Sequence, residues 1–129
     1  KIIQEMLQLL GFEVEIASNG SVAVDMFMSG NYSLVFMDCQ MPVMDGYEAA
    51  RKIRDFEKKS GSTITPVIAL TAGSDEKDRE RCLLAGMNDY ITKPFNEQIL
   101  RSRIKNILKN RQLLQDKFRT EVSGRAGQV

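Results

Sequence analysis

Apolar positions change their period several times along the 129-residue chain, and each change marks an element. Ile3, Met6, Leu7 and Leu10 repeat at helical spacing, and Gly11 follows where a helix stops. Phe12–Ala17 alternates instead, as a strand with one buried face does. Asn19-Gly20 is a turn signal, and Ser21 stands where it would cap a second helix carrying Val22, Val24, Met26 and Phe27. Tyr32–Asp38 is nearly all apolar and ends on an acid, which predicts a parallel strand buried on both faces. The loop Cys39–Asp45 leads into a helix from about Gly46 to Lys59. Ile64–Thr71 reads as a strand with Pro66 near its start. Ser74, Asp75 and Glu76 open a fourth helix that Gly86 closes, their charge favoured at the positive end of the helix dipole. Asp89–Lys93 is a short last strand, and Asn96 caps a long final helix.

Strands alternating with helices at this spacing predict one α/β domain with a mostly parallel sheet. In such sheets ligands bind outside the carboxyl ends of the strands. Three strand ends carry polar residues that would meet there: Asp38, Thr71 and Lys93. Composition then narrows the classes. Lys and Arg number 18 and Asp and Glu 17, so the net charge of +1 gives no global attraction to nucleic acid or an anionic membrane. The absence of His excludes His-based triads and the common His-containing zinc sites. Cys39 and Cys82 allow at most one bridge and read as small apolar fillers of a protein from a reducing compartment. Apolar runs such as Leu34–Met37 are too short for a transmembrane helix.

The trio suits phosphorus chemistry. A carboxylate can attack phosphorus to give an acyl phosphate. Nucleophile and transferred group are both anionic, so the site needs fixed cations and hydrogen-bond donors. Lys93 offers a mobile point charge and Thr71 a hydroxyl, and Ala72 leaves room for a backbone N–H to approach. Mg²⁺ held by carboxylates and waters would supply the rest.

These residues sit in three ordered motifs: Met37-Asp-Cys-Gln-Met-Pro-Val-Met-Asp-Gly46, Thr71-Ala72 and Asn88-Asp-Tyr-Ile-Thr-Lys-Pro-Phe95. Together they resemble the receiver domain of two-component response regulators, most of all receivers attached to hybrid sensor histidine kinases. The likeness runs from Lys1 to about Leu108 and implies a flavodoxin-like, doubly wound parallel sheet of order 2-1-3-4-5. It divides the chain into a receiver domain at 1–108 and a helix extension with a flexible tail at 109–129. The resemblance implies that Asp38 is the phosphoacceptor, and that Asp38 and the backbone carbonyl of Gln40 hold Mg²⁺. It implies that Thr71, Lys93 and the backbone N–H groups of Cys39 and Ala72 contact the phosphoryl group. Tyr90 becomes the aromatic switch that follows Thr71, Lys93-Pro94 a cis peptide, and Gly46 a structural residue. The implied partner is a histidine kinase or histidine phosphotransfer protein, in a cytoplasmic setting, with any membrane tether in a parent kinase. The implied role is that of a signalling domain, with at most self-catalysed phosphotransfer and slow autodephosphorylation.

The sequence departs from the receiver pattern at its start. That pattern begins with an apolar strand ending in two acids, whereas this chain begins inside the following helix, and nothing downstream reads as a replacement. The expectation is a piece of a longer chain whose central strand is absent, leaving a gap in the sheet and a poor Mg²⁺ site. A phosphorylation-independent interaction module is therefore kept as the alternative. Two other phosphate chemistries fail. Haloacid dehalogenase-type hydrolases need an acid where Gln40 stands, and no Gly-rich run ends in Gly-Lys-Ser or Gly-Lys-Thr. Gly73, two positions after Thr71, offers no side chain to shield an acyl phosphate, so Gly73→Glu or Gly73→Lys is expected to alter its lifetime. Between Arg101 and Arg119 seven basic residues face one acid, Asp116. Leu100, Ile104, Ile107, Leu114 and Phe118 keep a helical stripe that admits a homodimer. No DNA-binding module follows, so neither nucleic acid nor direct membrane contact is expected.

Overall fold

The computed structural model describes residues 2–73, 75–114 and 125–128, with side chains described over 3–73 and 75–109. Helices and strands alternate: α1 Ile2–Leu9, β1 Glu13–Ile16, α2 Gly20–Ser29, β2 Leu34–Asp38, α3 Gly46–Ser60, β3 Val67–Thr71, α4 Glu76–Leu84, β4 Asp89–Thr92, α5 Glu97–Leu114 and β5 Arg125–Gln128. The sheet has order β1-β5-β2-β3-β4 and every pairing is parallel.

Local signals set the element ends. Gly11 and Gly86 both take φ +96, a left-handed conformation that stops α1 and α4. Asp45, Asp75 and Asn96 accept from backbone N–H groups three residues on, capping α3, α4 and α5. The second helix is capped by Asn19 rather than Ser21: α2 begins at Gly20, which puts the Asn19 Oδ1 2.9 Å from the Val22 N. The first strand is shorter and less cleanly amphipathic than its alternation predicts. Phe12 is buried, Ile16 is exposed, and Glu15 turns to accept from the Tyr32 hydroxyl.

Two cores flank the sheet because β2 and β3 send side chains to both faces. Val35, Met37, Val67 and Ala69 pack under α3 (Ala49, Ala50, Ile53) and reach Cys82 of α4. Leu34, Phe36, Ile68, Leu70 and Ile91 pack under α1 (Ile3, Leu7) and α5 (Leu100, Ile104). Each fully buried large side chain contributes about 1.5–3 kcal/mol, so the two layers hold β2, β3 and β4 firmly. At the amino ends of these strands, Arg54 of α3 donates to Glu57, the carbonyls of Thr65 and Gly86, and Asn88.

The central position is where the structure departs from expectation. No gap separates β1 from β2: β5 lies between them, with Ala126 paired to both Val14 and Leu34. Two neighbouring strands with unpaired N–H and C=O groups form a slot for any extended segment within reach, and backbone pairing does not depend on side-chain identity. Counting β5 in the slot of the family's first strand, the slot order 2-1-3-4-5 is kept. The expected flexible tail is thus corrected at residues 125–128. The expected reach of α5 beyond residue 108 is seen as far as Leu114. Asp116, Phe118 and the rest of residues 115–124 lie outside the described residues, as do the side chains of residues 110–114 that the dimer stripe invokes.

Candidate functional site

Asp38, Thr71 and Lys93 lie together at the carboxyl edge of the sheet, because β2, β3 and β4 are parallel neighbours in close register. Asp38 pairs with Leu70 and Thr71 with Thr92, one residue before Lys93. The Lys93 Nζ lies 2.9 Å from Asp38 Oδ2, and Asp38 Oδ1 accepts from the Gln40 N–H at 3.1 Å. Thr71 is buried at 6% exposure, its hydroxyl oxygen accepts from the Gly73 N–H, and its carbonyl accepts from the Lys93 N–H. The Lys93 and Asp38 side chains keep 42% and 26% of their exposure. A pair this open to water adds only about 0–1 kcal/mol to stability, so it is better understood as a cation held ready beside a carboxylate.

The backbone donors differ from expectation at one position. The Cys39 N–H continues the ladder to the Leu70 carbonyl at 3.0 Å and is not free for a ligand; the amide beside the Asp38 carboxylate is that of Gln40. The Ala72 N–H makes no hydrogen bond among the described residues. Gly46 is pressed against the chain it follows, its N–H bonding the Cys39 carbonyl and its α-carbon abutting the Asp38 carbonyl. Lys93-Pro94 is cis.

Tyr90 is half-buried between two guanidinium groups, Arg79 of α4 at 5.6 Å and Arg103 of α5 at 5.9 Å from the ring centroid. Arg103 also bonds Asp89 and the Tyr90 carbonyl. Nothing in the local sequence around Tyr90 signals these partners. The space beside Gly73 is likewise not empty, since the Asp78 carboxylate fills the place a side chain at 73 would take. The expected effect of Gly73→Glu therefore becomes displacement of Asp78 and repulsion by it.

Cys39, Cys82 and Tyr47 form a buried cluster behind the site. Burial pushes the Cys39 thiol up to about 12, with the hydrogen bond to Tyr47 acting in the opposite direction, and burial raises Cys82 as well. A disulfide-exchange reagent is expected to leave both thiols unmodified in the native protein at mildly alkaline pH and to modify both in urea. Because the unfolded Cys39 loses its proton first, stability is retained below pH about 9 and falls as pH rises towards about 12. Rapid native-state modification would contradict this cluster.

Asp38 and the Gln40 carbonyl do not amount to a magnesium site. The described residues hold no group of three or more His, Cys, Asp or Glu side chains able to bind a metal. Asp38 and the Gln40 carbonyl offer one carboxylate and one neutral oxygen towards the nearly octahedral oxygen shell that Mg²⁺ demands. Among the described residues no helix is long and apolar enough to cross a membrane.

Residues 1–105 match the family model described as the response regulator receiver domain. Hybrid signal transduction histidine kinase B of Dictyostelium discoideum is 42% identical over 103 residues, covering 74% of this chain and 5% of that protein. The chain thus spans a small part of the curated relatives it matches. Among solved structures, the receiver domain of Ssk1 from Saccharomyces cerevisiae, crystallised with the histidine phosphotransfer protein Ypd1, is 39% identical with a TM-score of 0.75. That match covers 79% of this chain and 75% of that one. The receiver domain of sensor histidine kinase PA1611 from Pseudomonas aeruginosa, solved with a magnesium ion in its active site cleft, is 41% identical with a TM-score of 0.69. It covers 84% of each chain.

Proposed function

Because this chain belongs to the response regulator receiver family, we propose that it takes a phosphoryl group onto Asp38 from a phosphohistidine of a histidine kinase or histidine phosphotransfer protein. The observation that carries this reading is the 2.9 Å contact between Lys93 and Asp38 at the strand edge that Thr71 shares. An Asp38 carboxylate oxygen attacks phosphorus as the P–N bond to the donor imidazole breaks, and the bonding pair leaves with the imidazole nitrogen. Lys93 follows the charge from Asp38 to a phosphoryl oxygen, while the Thr71 hydroxyl and the Ala72 and Gln40 N–H groups donate to the others. The loop after Thr71 and the Tyr90 ring then repack, which changes the face that α4, β4 and α5 present to a partner. Since the described residues do not make a magnesium site, no step is assigned to the ion. The likeness to a hybrid histidine kinase, and to a receiver domain crystallised with a histidine phosphotransfer protein, supports this reading over a phosphorylation-independent interaction module.

Acetyl phosphate and phosphorylated Ypd1 provide the test, with product followed by mass spectrometry. The parent chain is expected to gain one phosphoryl group on Asp38, Asp38→Asn none, and Lys93→Ala to react about 10²-fold more slowly, as the loss of a charge-stabilising donor does. Label that persists in Asp38→Asn overturns the assignment.

A further inference from the structure

Between α2 and α3 lies a groove of about 470 Å³ that the phosphoryl chemistry does not use. Its two walls share one geometry. Ser21, Val24, Asp25 and Met28 line it from α2, spaced i, i+3, i+4, i+7. Lys52, Asp55, Phe56 and Lys59 line it from α3 at the same spacing. Each set is one helix face about two turns long. Val24 is buried and Met44 and Phe56 are half-buried, which makes the floor apolar, while Met28 is 45% exposed and leaves the α2 rim open to water. Phe27 meets Phe56 edge-on at 6.2 Å, so the floor is fixed before anything binds. Two neighbouring helix faces with an apolar furrow between them are a seat for a third helix.

The charges on the walls define which helix. Asp25 stands on α2, and Lys52 and Lys59 stand on α3 with Asp55 between them, all four exposed. Asp55 is three residues from Lys52 and four from Lys59, spacings at which helical ion pairs form. None of the four nevertheless makes an ion pair among the described residues. The α3 wall thus presents two uncommitted ammonium groups seven residues apart, and the α2 wall one uncommitted carboxylate. We propose that this groove docks an amphipathic helix of another protein. Its apolar stripe lies on Val24, Met28, Met44 and Phe56, and acidic residues seven apart on one flank face Lys52 and Lys59. Asp25 leaves the other flank to neutral or basic residues. Flanking charges choose partners in the same way between paired helices. Docking here requires no phosphoryl transfer to Asp38.

Two labelled peptides of about 18 residues, long enough to be helical, test this on the full chain by fluorescence polarisation. Both carry Leu along one stripe and Gln on one flank; the other flank holds Glu at i and i+7 in the first peptide and Lys in the second. The acidic peptide is expected to bind with a Kd on the order of 10 µM and the basic one about tenfold more weakly, a difference that fades in about 1 M salt. The net charge of +1 gives the whole chain no such preference. Met28→Glu should weaken the acidic peptide about tenfold. Lys52→Glu combined with Lys59→Glu should reverse the order of the two peptides at an unchanged urea midpoint, since exposed charges add little to stability. No saturable binding of the acidic peptide, equal binding of the two, or an order unchanged in the double variant overturns the proposal. Parental binding by Met28→Glu does so too. Self-association of the chain that Met28→Glu abolishes also overturns it, because a second copy would then be the occupant.

Discussion

Alanine at position 46 is expected to lower the unfolding free energy by about 3 kcal/mol, the upper part of the range for inserting a group into a packed interior. A Cβ on Gly46 would lie 2.2 Å from the Asp38 carbonyl oxygen and 2.9 Å from both the Asp38 carbonyl carbon and the Cys39 α-carbon. All three are backbone atoms, so no side chain can swing aside. Either α3 moves outwards, lifting Tyr47, Ala50 and Ile53 from the core, or the end of β2 moves and takes Asp38 with it. Glycine-to-alanine changes inside helices ordinarily stabilise by up to about 1 kcal/mol, so the expected sign is reversed here. Urea unfolding with an unchanged slope and a lower midpoint would show the effect. Acetyl phosphate labelling at low temperature, where the variant is still folded, should fall as well. An unaltered midpoint would mean that the α3 junction yields, contrary to its packing.

Truncating Glu57 to alanine should cost about 3–5 kcal/mol, the loss typical when one partner of a buried ion pair is removed. Glu57 is 3% exposed, and its two oxygens accept from Arg54 at 2.8 Å and from the Thr65 N–H at 2.8 Å. Its loss leaves a guanidinium without a counter-ion and a buried N–H without an acceptor. Arg54 also bonds the carbonyls of Thr65 and Gly86 and the side chain of Asn88, whose Oδ1 accepts from the Val67 N–H. The damage therefore spreads from α3 to the start of β3 and the turn before β4. Adding Arg54→Met to Glu57→Ala should cost much less than the sum of the single losses, because the stranded charge goes too. Strict additivity in that cycle would refute the coupling.

Much of the site is legible in the sequence because parallel βα units repeat one geometry. Each strand ends at the same edge, so Asp38, Thr71 and Lys93 can be assigned a common neighbourhood without knowing a single long-range contact. Gly11, Gly86 and Asn96 are legible for a local reason, since stops and caps act over a few residues. Misreadings arise where two local solutions compete or where the partner is remote. Asn19 and Ser21 are both good caps, and the choice follows from Gly20 entering the helix. The Cys39 amide reads as a ligand donor until the ladder is seen to continue one residue past Asp38. Arg79, Arg103 and Asp78 reach Tyr90 and Gly73 across elements, which no spacing rule encodes. Arg125-Ala-Gly-Gln128 lacks the branched and aromatic residues that mark strands, and its position depends on the backbone edges of β1 and β2 instead.

The insertion of β5 also sets an order of assembly. The β2, β3 and β4 ladder joins segments separated by single helices, whereas β5 must return from far downstream to bring β1 and β2 into one sheet. Closing so wide a loop costs entropy before any pairing repays it, and long sequence separation slows folding. The pairings that carry Asp38, Thr71 and Lys93 close shorter loops and are expected to form before those of β5, with α1 packing on the same strands.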